Sequence, residues 1–204
     1  MAPRQYRQKL RAEAAGETRR AILDTLYERI KSGPATPISV DEVAKLAGVA
    51  RSTVYLIFGS RAGLFHALFD EVLRGKEYEE LLKAVYHPDA LQMLRGGIRA
   101  TVRLYASHAD VQRVFYAMAQ LDPEAYPFPA GRAEEERRGG MRRLAQTLAE
   151  QGLIREGLSV GDATHILWLI TSFAAFDQLY SGRGLSADKA ADLLIDMAER
   201  SVYP

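Results

Sequence analysis

The spacing of apolar residues predicts a chain built almost entirely of α-helices. No stretch of the 204 residues sustains a polar–apolar alternation of period two, whereas apolar residues recur three and four positions apart. Residues 1–17 are predicted to be a disordered basic arm. We predict nine helices, at about residues 18–31, 40–47, 50–58, 60–82, 89–107, 111–118, 131–151, 159–180 and 186–201.

Residues 38–58 have the pattern of a helix-turn-helix, the helical hairpin that many proteins insert into DNA. Ser39 is predicted to cap the first helix, Ala44 is the small residue at the crossing, and Gly48 supplies the turn. The second helix starts near Ala50, and its N-terminal end is the part that enters a major groove. The alternative is an ordinary hairpin of an all-α protein, which the complete apolar register makes the weaker interpretation.

Charge strengthens this interpretation because it is unevenly placed. The formal net charge is only +1, but residues 1–61 carry 11 Lys and Arg against 6 Asp and Glu. A basic N-terminal quarter on a mildly acidic body indicates a surface that faces phosphates. A solvated basic face without a partner is the alternative that charge alone leaves open.

Residues 18–69, and above all AGVARSTVYLIFGSRAGLF at 47–65, resemble the N-terminal domain of the tetracycline-repressor (TetR) family of bacterial regulators. The resemblance covers about a quarter of the chain. It implies a DNA-binding domain over 18–61, followed over 62–204 by a helical domain for ligand binding and dimerisation. Two departures from the family pattern stand out: Ala50 replaces a usual serine cap, and PATP is inserted at 34–37.

The resemblance also implies roles for individual side chains. Arg51 and Ser52 become base-reading candidates, since an arginine can make a bidentate contact to guanine. For Tyr55, a place in the core against the first helix is the alternative. Four side chains become candidates for phosphate contacts that fix the register: Ser39, Thr53, Tyr55 and Arg61.

The C-terminal part carries no enzyme signature, and no catalytic residue, metal site or cofactor is expected. It has no glycine-rich phosphate loop, no H-E-x-x-H and no G-x-S-x-G, and its histidines are dispersed. The chain has no cysteine, no secretory pattern at its N-terminus and no apolar run long enough for a membrane, so a cytoplasmic protein is expected.

The resemblance to the family also implies that the protein binds an unknown small apolar or amphipathic effector. Two glycine pairs within predicted helices, at 96–97 and 139–140, either leave space for it or allow close helix packing. Most of the candidate lining residues are better explained as plain core. They are Tyr105, Phe115, Tyr116, Met118, Trp168 and Phe173.

The last two predicted helices combine apolar and small residues, as in half of a four-helix dimer interface. The sequence therefore predicts a homodimeric, ligand-responsive repressor that binds a near-palindromic DNA operator. Two alternatives remain at this point. One is a DNA-binding regulator controlled by a protein partner without a small-molecule pocket, and the other is a helical protein with an accidental hairpin.

Overall fold

A computed structural model describes residues 3–32, 38–72, 75–121 and 132–204, and the regular structure within these ranges is entirely α-helical. The described part contains eleven helices rather than nine. They are α1 (Pro3–Ser32), α2 (Val40–Leu46), α3 (Arg51–Phe58), α4 (Arg61–Val72), α5 (Lys76–Val85), α6 (Ala90–Ser107), α7 (Ala109–Leu121), α8 (Arg132–Glu150), α9 (Val160–Ile170), α10 (Phe173–Tyr180) and α11 (Ala187–Val202).

The two additional helices arise because two of the predicted helices are interrupted. The helix predicted over 60–82 ends at Val72, and a new one starts after Gly75, whose backbone is extended (φ −77°, ψ 173°). The helix predicted over 159–180 stops at Ile170. There the Ser172 hydroxyl accepts a hydrogen bond from the Ala175 N–H and caps a second helix.

The prediction of a disordered arm over residues 1–17 is wrong from residue 3 onwards, because α1 already begins at Pro3. Residues 4–15 consist mainly of good helix formers, and proline fits the first turn of a helix. Thr18, at the predicted start of the first helix, lies inside α1 instead. Its hydroxyl donates to the Ala14 carbonyl at 2.9 Å, as it does inside a helix.

The contacts divide the chain into two compact units, of which the first comprises Met1–Val72 and Arg113–Pro127. Its core contains the face of α1 on which apolar residues recur three and four positions apart, and each of these residues is at most 1% exposed. Phe115 packs edge-on against Phe65 and Phe69, with ring centroids 6.1 and 5.9 Å apart. The buried α1 residues are Ile22, Leu23, Leu26 and Ile30.

The second unit comprises Leu73–Gln112 and Phe128–Pro204. Helix α6 is its centre, with α5, α8, α10 and α11 packed around it, and α9 packs on α8 and α11. A Cβ at Gly96 would lie 3.4 Å from the Ala84 Cβ, and one at Gly97 would lie 3.5 Å from Val85 Cγ1. This glycine pair therefore allows close packing of α5 on α6.

Residues 62–72, which we assigned by sequence to the second domain, belong by their contacts to the first unit. The functional division after residue 61 remains a prediction. The PATP insert at 34–37 lies outside the described residues. Among the described residues, none of the helices combines the length and apolar character needed to cross a membrane.

The turn at Gly48 gives a first testable prediction. Gly48 has φ +67°, and nothing lies within 4 Å of a Cβ built on it, so Gly48→Ala introduces backbone strain without a clash. We expect a loss of about 1 kcal/mol in the free energy of unfolding, measured in urea. Gly139→Ala is the matched control: its site in α8 is also open, and it should gain up to about 1 kcal/mol. An unchanged midpoint for Gly48→Ala would contradict the prediction.

Candidate functional site

The N-terminus of α2 is held in place by two hydrogen-bonded groups. The Ser39 hydroxyl accepts from the Glu42 N–H at 3.1 Å, as predicted for a helix cap. The Glu42 carboxylate turns to α1, where it pairs with Arg29 at 2.5 Å. The Ser39 oxygen is thus a cap acceptor, and its O–H can still donate to a phosphate.

The turn between α2 and α3 is closed by the backbone. The Val49 N–H donates to the Ala44 carbonyl at 2.9 Å, one residue after the positive φ of Gly48. Ala50 then occupies the N-cap position of α3, with no side-chain hydrogen bond to the helix. The missing cap expected at Ala50 is therefore confirmed.

Helix α3 divides into a buried side and an exposed side. Val54 is 1% exposed, whereas Thr53 and Ile57 are half-buried. Tyr55 is 37% exposed, so it is not the core aromatic of the alternative interpretation. Four exposed side chains form a contiguous surface that we call the reading face: Arg51, Ser52, Tyr55 and Leu56.

Leu56 is the member of the reading face that the sequence analysis missed. It is 86% exposed, a larger fraction than for any other large apolar side chain among the described residues. The sequence spacing could have predicted its position, because Leu56 lies four residues after Ser52 and therefore on the same face of the helix. An isolated exposed leucine is unremarkable in general, and its place on this face is what gives it interest.

Arg51 has two neighbours on the protein surface. Its Nη1 donates to the Asp41 carboxylate at 2.8 Å, and its guanidinium lies over the Tyr55 ring, 5.4 Å from the centroid. Nη2 lies 3.4 Å from the Tyr55 hydroxyl. The Tyr55 hydroxyl and then the Asp41 charge raise the pKa of Arg51, so this group is a permanent cation.

Arg61 lies in the first turn of α4 and is half-buried. Its Nη2 donates to the Ile38 carbonyl at 2.9 Å, which ties the start of α4 to the segment just before α2. This structural contact was not anticipated from the sequence. The phosphate contact assigned to Arg61 remains a prediction, as do those of Thr53 and Tyr55.

The six candidate ligand-lining residues do not form one group. Phe115 is core of the first unit, and Tyr116 follows it on the same segment of α7. The side chain of Met118 lies outside the described part of the chain. The second unit contains the other three: Tyr105, Trp168 and Phe173.

Within the second unit, Tyr105 lines a narrow crevice beside the break between α9 and α10. Its hydroxyl donates to the Thr171 carbonyl at 3.4 Å, and its ring meets Phe173 edge-on at 5.4 Å. None of the space in this crevice is wide enough for a water molecule. The crevice is lined by Ile98, Thr101, Val102, Tyr105, Thr171, Ser172, Phe176 and Leu194.

A buried polar cluster adjoins this break and was also missed by the sequence analysis. Glu134, with a side chain only 8% exposed, accepts two hydrogen bonds from Arg137 at 2.9 Å and one from the indole of Trp168 at 2.5 Å. Arg137 Nη1 donates to the Trp168 carbonyl at 2.8 Å. Arg137 therefore links α8 to the C-terminal end of α9, where a cation is favoured.

No group of three or more metal-ligating side chains occurs in the part of the chain that the structure describes. His87 accepts from the Asp89 N–H at 3.1 Å within its own turn. Burial lowers the pKa of His108, which favours its neutral form.

Comparison with known proteins bears on the first unit most directly. Residues 22–68 match the sequence model of the family described as bacterial regulatory proteins, tetR family. The matched segment runs from the buried face of α1 to α4, and thus includes the whole reading face.

Two curated relatives share about a third of their aligned residues with this chain. The HTH-type transcriptional regulator EthR of Mycobacterium tuberculosis is 32% identical over 105 residues, which is 50% of this chain and 49% of EthR. The HTH-type transcriptional repressor BepR of Brucella suis is 31% identical over 112 residues, 54% of this chain and 53% of BepR. The chain thus spans about half the length of these relatives. Both of these relatives are transcriptional regulators.

Solved structures resemble the chain over almost its whole length. The match to NalD, the secondary repressor of the MexAB-OprM multidrug efflux pump in Pseudomonas aeruginosa, has a TM-score of 0.66 at 24% identity. It covers 94% of this chain and 98% of NalD. A TetR transcription regulator from Haloarcula marismortui gives a TM-score of 0.71 at 14% identity, covering 92% and 99%. At these identities the likeness shows the fold.

Proposed function

We propose that this chain is a homodimeric transcriptional repressor of the tetR family of bacterial regulatory proteins, whose sequence model residues 22–68 match, and that it binds a near-palindromic DNA operator. We further propose that a small effector weakens its hold on that operator. The observation that carries the proposal is the reading face of α3, with an exposed arginine cation at the first residue of the helix. This is the end of a recognition helix that contacts base edges.

The side chains of the reading face suit different groups of the DNA. Arg51 suits the N7 and O6 acceptors of guanine, and Ser52 can donate to or accept from several bases. Leu56 suits the methyl group of thymine, an apolar contact that would remove its side chain from water. Thr53 and Tyr55, together with Ser39 and Arg61, are proposed to bind phosphates.

Arg51→Ala should lose specific binding. A duplex library with a randomised segment of about 20 base pairs, two helical turns, first supplies the preferred site of the wild-type protein. Arg51→Ala should bind that site at least about tenfold more weakly, and one base pair of each half-site should lose its preference. Arg103→Ala, a change of an exposed arginine on α6, is the control and should bind as wild type does. If Arg51→Ala bound the site as tightly as wild type does, the assignment of Arg51 as a base-reading residue would be wrong.

The same measurements test two related points. Leu56→Ala should relax a preference for thymine at a different base pair from the one that Arg51→Ala affects. Wild-type affinity should fall steeply with salt, because several phosphate contacts release counterions. A flat salt response would instead favour a helical protein that does not bind DNA.

The homodimer is proposed to form through α9 and α11, which pack against each other in the second unit. Each presents a large apolar side chain to solvent: Leu169 is 63% exposed and Met197 is 51% exposed. A second copy would bury both at once, and a two-fold axis would place two reading faces on one near-palindrome.

Leu169→Asp should therefore dissociate the dimer, because it places a carboxylate in an interface that excludes water. Sedimentation velocity at micromolar concentration should show a dimer for wild type and a monomer for the variant. Leu82→Asp, at an exposed leucine on α5, should remain dimeric. A dimeric Leu169→Asp protein, or a monomeric wild type, would contradict this interface.

The effector site is proposed to be the crevice beside the α9–α10 break. As it stands the crevice is too narrow, so an apolar or amphipathic effector must separate Tyr105 from Thr171. Their contact is a single long hydrogen bond at a point where the helix is already interrupted. The proposed site is thus one that opens when the effector binds.

Trp168, the only tryptophan of the chain, reports on this site because it lies three residues before Thr171. A panel of aliphatic and aromatic alcohols should include compounds that change its fluorescence and also weaken operator binding. Thr101→Phe, which fills the crevice, should abolish both responses.

One observation favours a second candidate function. The crevice near Tyr105 is too narrow for water, and Gly97 packs against Val85, so the core is filled at these two places. A filled core suits a repressor controlled by a protein partner. If no compound of the panel changes either Trp168 fluorescence or operator binding, this second candidate becomes the better one.

A further inference from the structure

We propose that Asp41 is a specificity-determining residue of the DNA interface, because its carboxylate positions the Arg51 guanidinium for base reading. The inference rests on the proposed DNA binding and adds to it a residue on the other helix of the motif.

The contact crosses the helix-turn-helix from one helix to the other. Asp41 lies in the first turn of α2, and Arg51 is the first residue of α3. Their atoms Oδ2 and Nη1 are 2.8 Å apart, although the two side chains are 60% and 58% exposed. A carboxylate from the helix outside the groove thus reaches the side chain proposed to enter it.

The neighbouring carboxylate shows that Asp41 is not needed to hold the motif together. Glu42 turns inward and pairs with Arg29 of α1, where the two side chains are 35% and 18% exposed. That pair fixes α2 on α1, whereas Asp41 faces solvent on the side of the reading face. Two adjacent acids therefore serve different surfaces, and removing the charge of Asp41 should leave the packing intact.

The guanidinium is held from two sides, and these contacts use two of its five N–H donors. One Nη1 hydrogen bond goes to Asp41, while the Tyr55 ring lies 5.4 Å away and its hydroxyl lies 3.4 Å from Nη2. A guanidinium has five N–H donors in a rigid plane, and guanine needs two of them in parallel. A side chain already restricted to one orientation loses less conformational freedom on binding.

Asp41 is also expected to lower the affinity of the protein for DNA of a non-preferred sequence. A fixed negative charge at the edge of the interface opposes the phosphate backbone on every DNA. That repulsion is offset only at a site where Arg51 contacts its preferred base. Asp41 therefore increases the discrimination between the preferred site and other sequences, while it lowers the affinity for DNA in general.

The test uses the full-length protein and the site selected by wild type from the randomised duplex library. Asp41→Asn should reduce the preference at the base pair that Arg51 reads by about three- to tenfold. Its affinity for random-sequence DNA should rise about twofold. Asp192→Asn is the matched control, since it removes another exposed pair between two helices, with Arg99 at 2.9 Å. Both variants should keep the thermal unfolding midpoint of wild type.

A double-mutant comparison separates positioning from a general charge effect. In an Arg51→Ala background, Asp41→Asn should cause no further loss at that base pair, because the group that it positions is gone. The inference is overturned if Asp41→Asn keeps the full preference, loses preference evenly over all positions, or adds a loss to that of Arg51→Ala. If Arg51→Ala loses a base preference and Asp41→Asn does not, the proposed function stands and this inference alone fails. If wild type selects no common sequence, the proposed function itself fails.

Discussion

The burial of Val54 is the interaction on which the reading face depends. Helix α3 has only eight residues and no side-chain cap, and a helix of that length is not stable in water by itself. Val54 is 1% exposed, and it fixes both the position of α3 and its rotation about its axis. Because Val54 points inward, Ser52 and Leu56, which lie two residues before and after it on the helix, must point outward.

The same logic explains why charged groups gather around α2. A short helix that must present a surface to a ligand cannot bury every face, so polar contacts at its first turn supplement its small core. Ser39 caps the backbone, Glu42 holds α1, and Asp41 reaches α3. The first of these contacts was readable from the sequence because capping is local, whereas the ion pairs join residues 13 and 10 positions apart.

In the second unit the interruption between α9 and α10 is the corresponding feature. The sequence there is apolar enough to continue as one helix, yet Ser172 starts a new one. Arg137 and Tyr105 approach the break from α8 and α6 and bind carbonyls that the interruption leaves outside the helical pattern. The break is thus a polar, hydrogen-bonded site inside an apolar core.

The sequence by itself determined the helical class, the buried face of α1, the cap at Ser39, the turn at Gly48 and the missing cap at Ala50. All of these depend on residues within one or two turns of each other, and local propensity therefore decides them. The basic character of residues 3–17 misled, because their good helix formers continue α1 in place of the expected arm. Only the tertiary structure decided that Phe115 belongs to a different core from Tyr105, that Arg61 binds the Ile38 carbonyl, and that Leu56 is exposed. Those outcomes depend on which surfaces meet after the chain folds, and the periodicity of one helix cannot specify its partner.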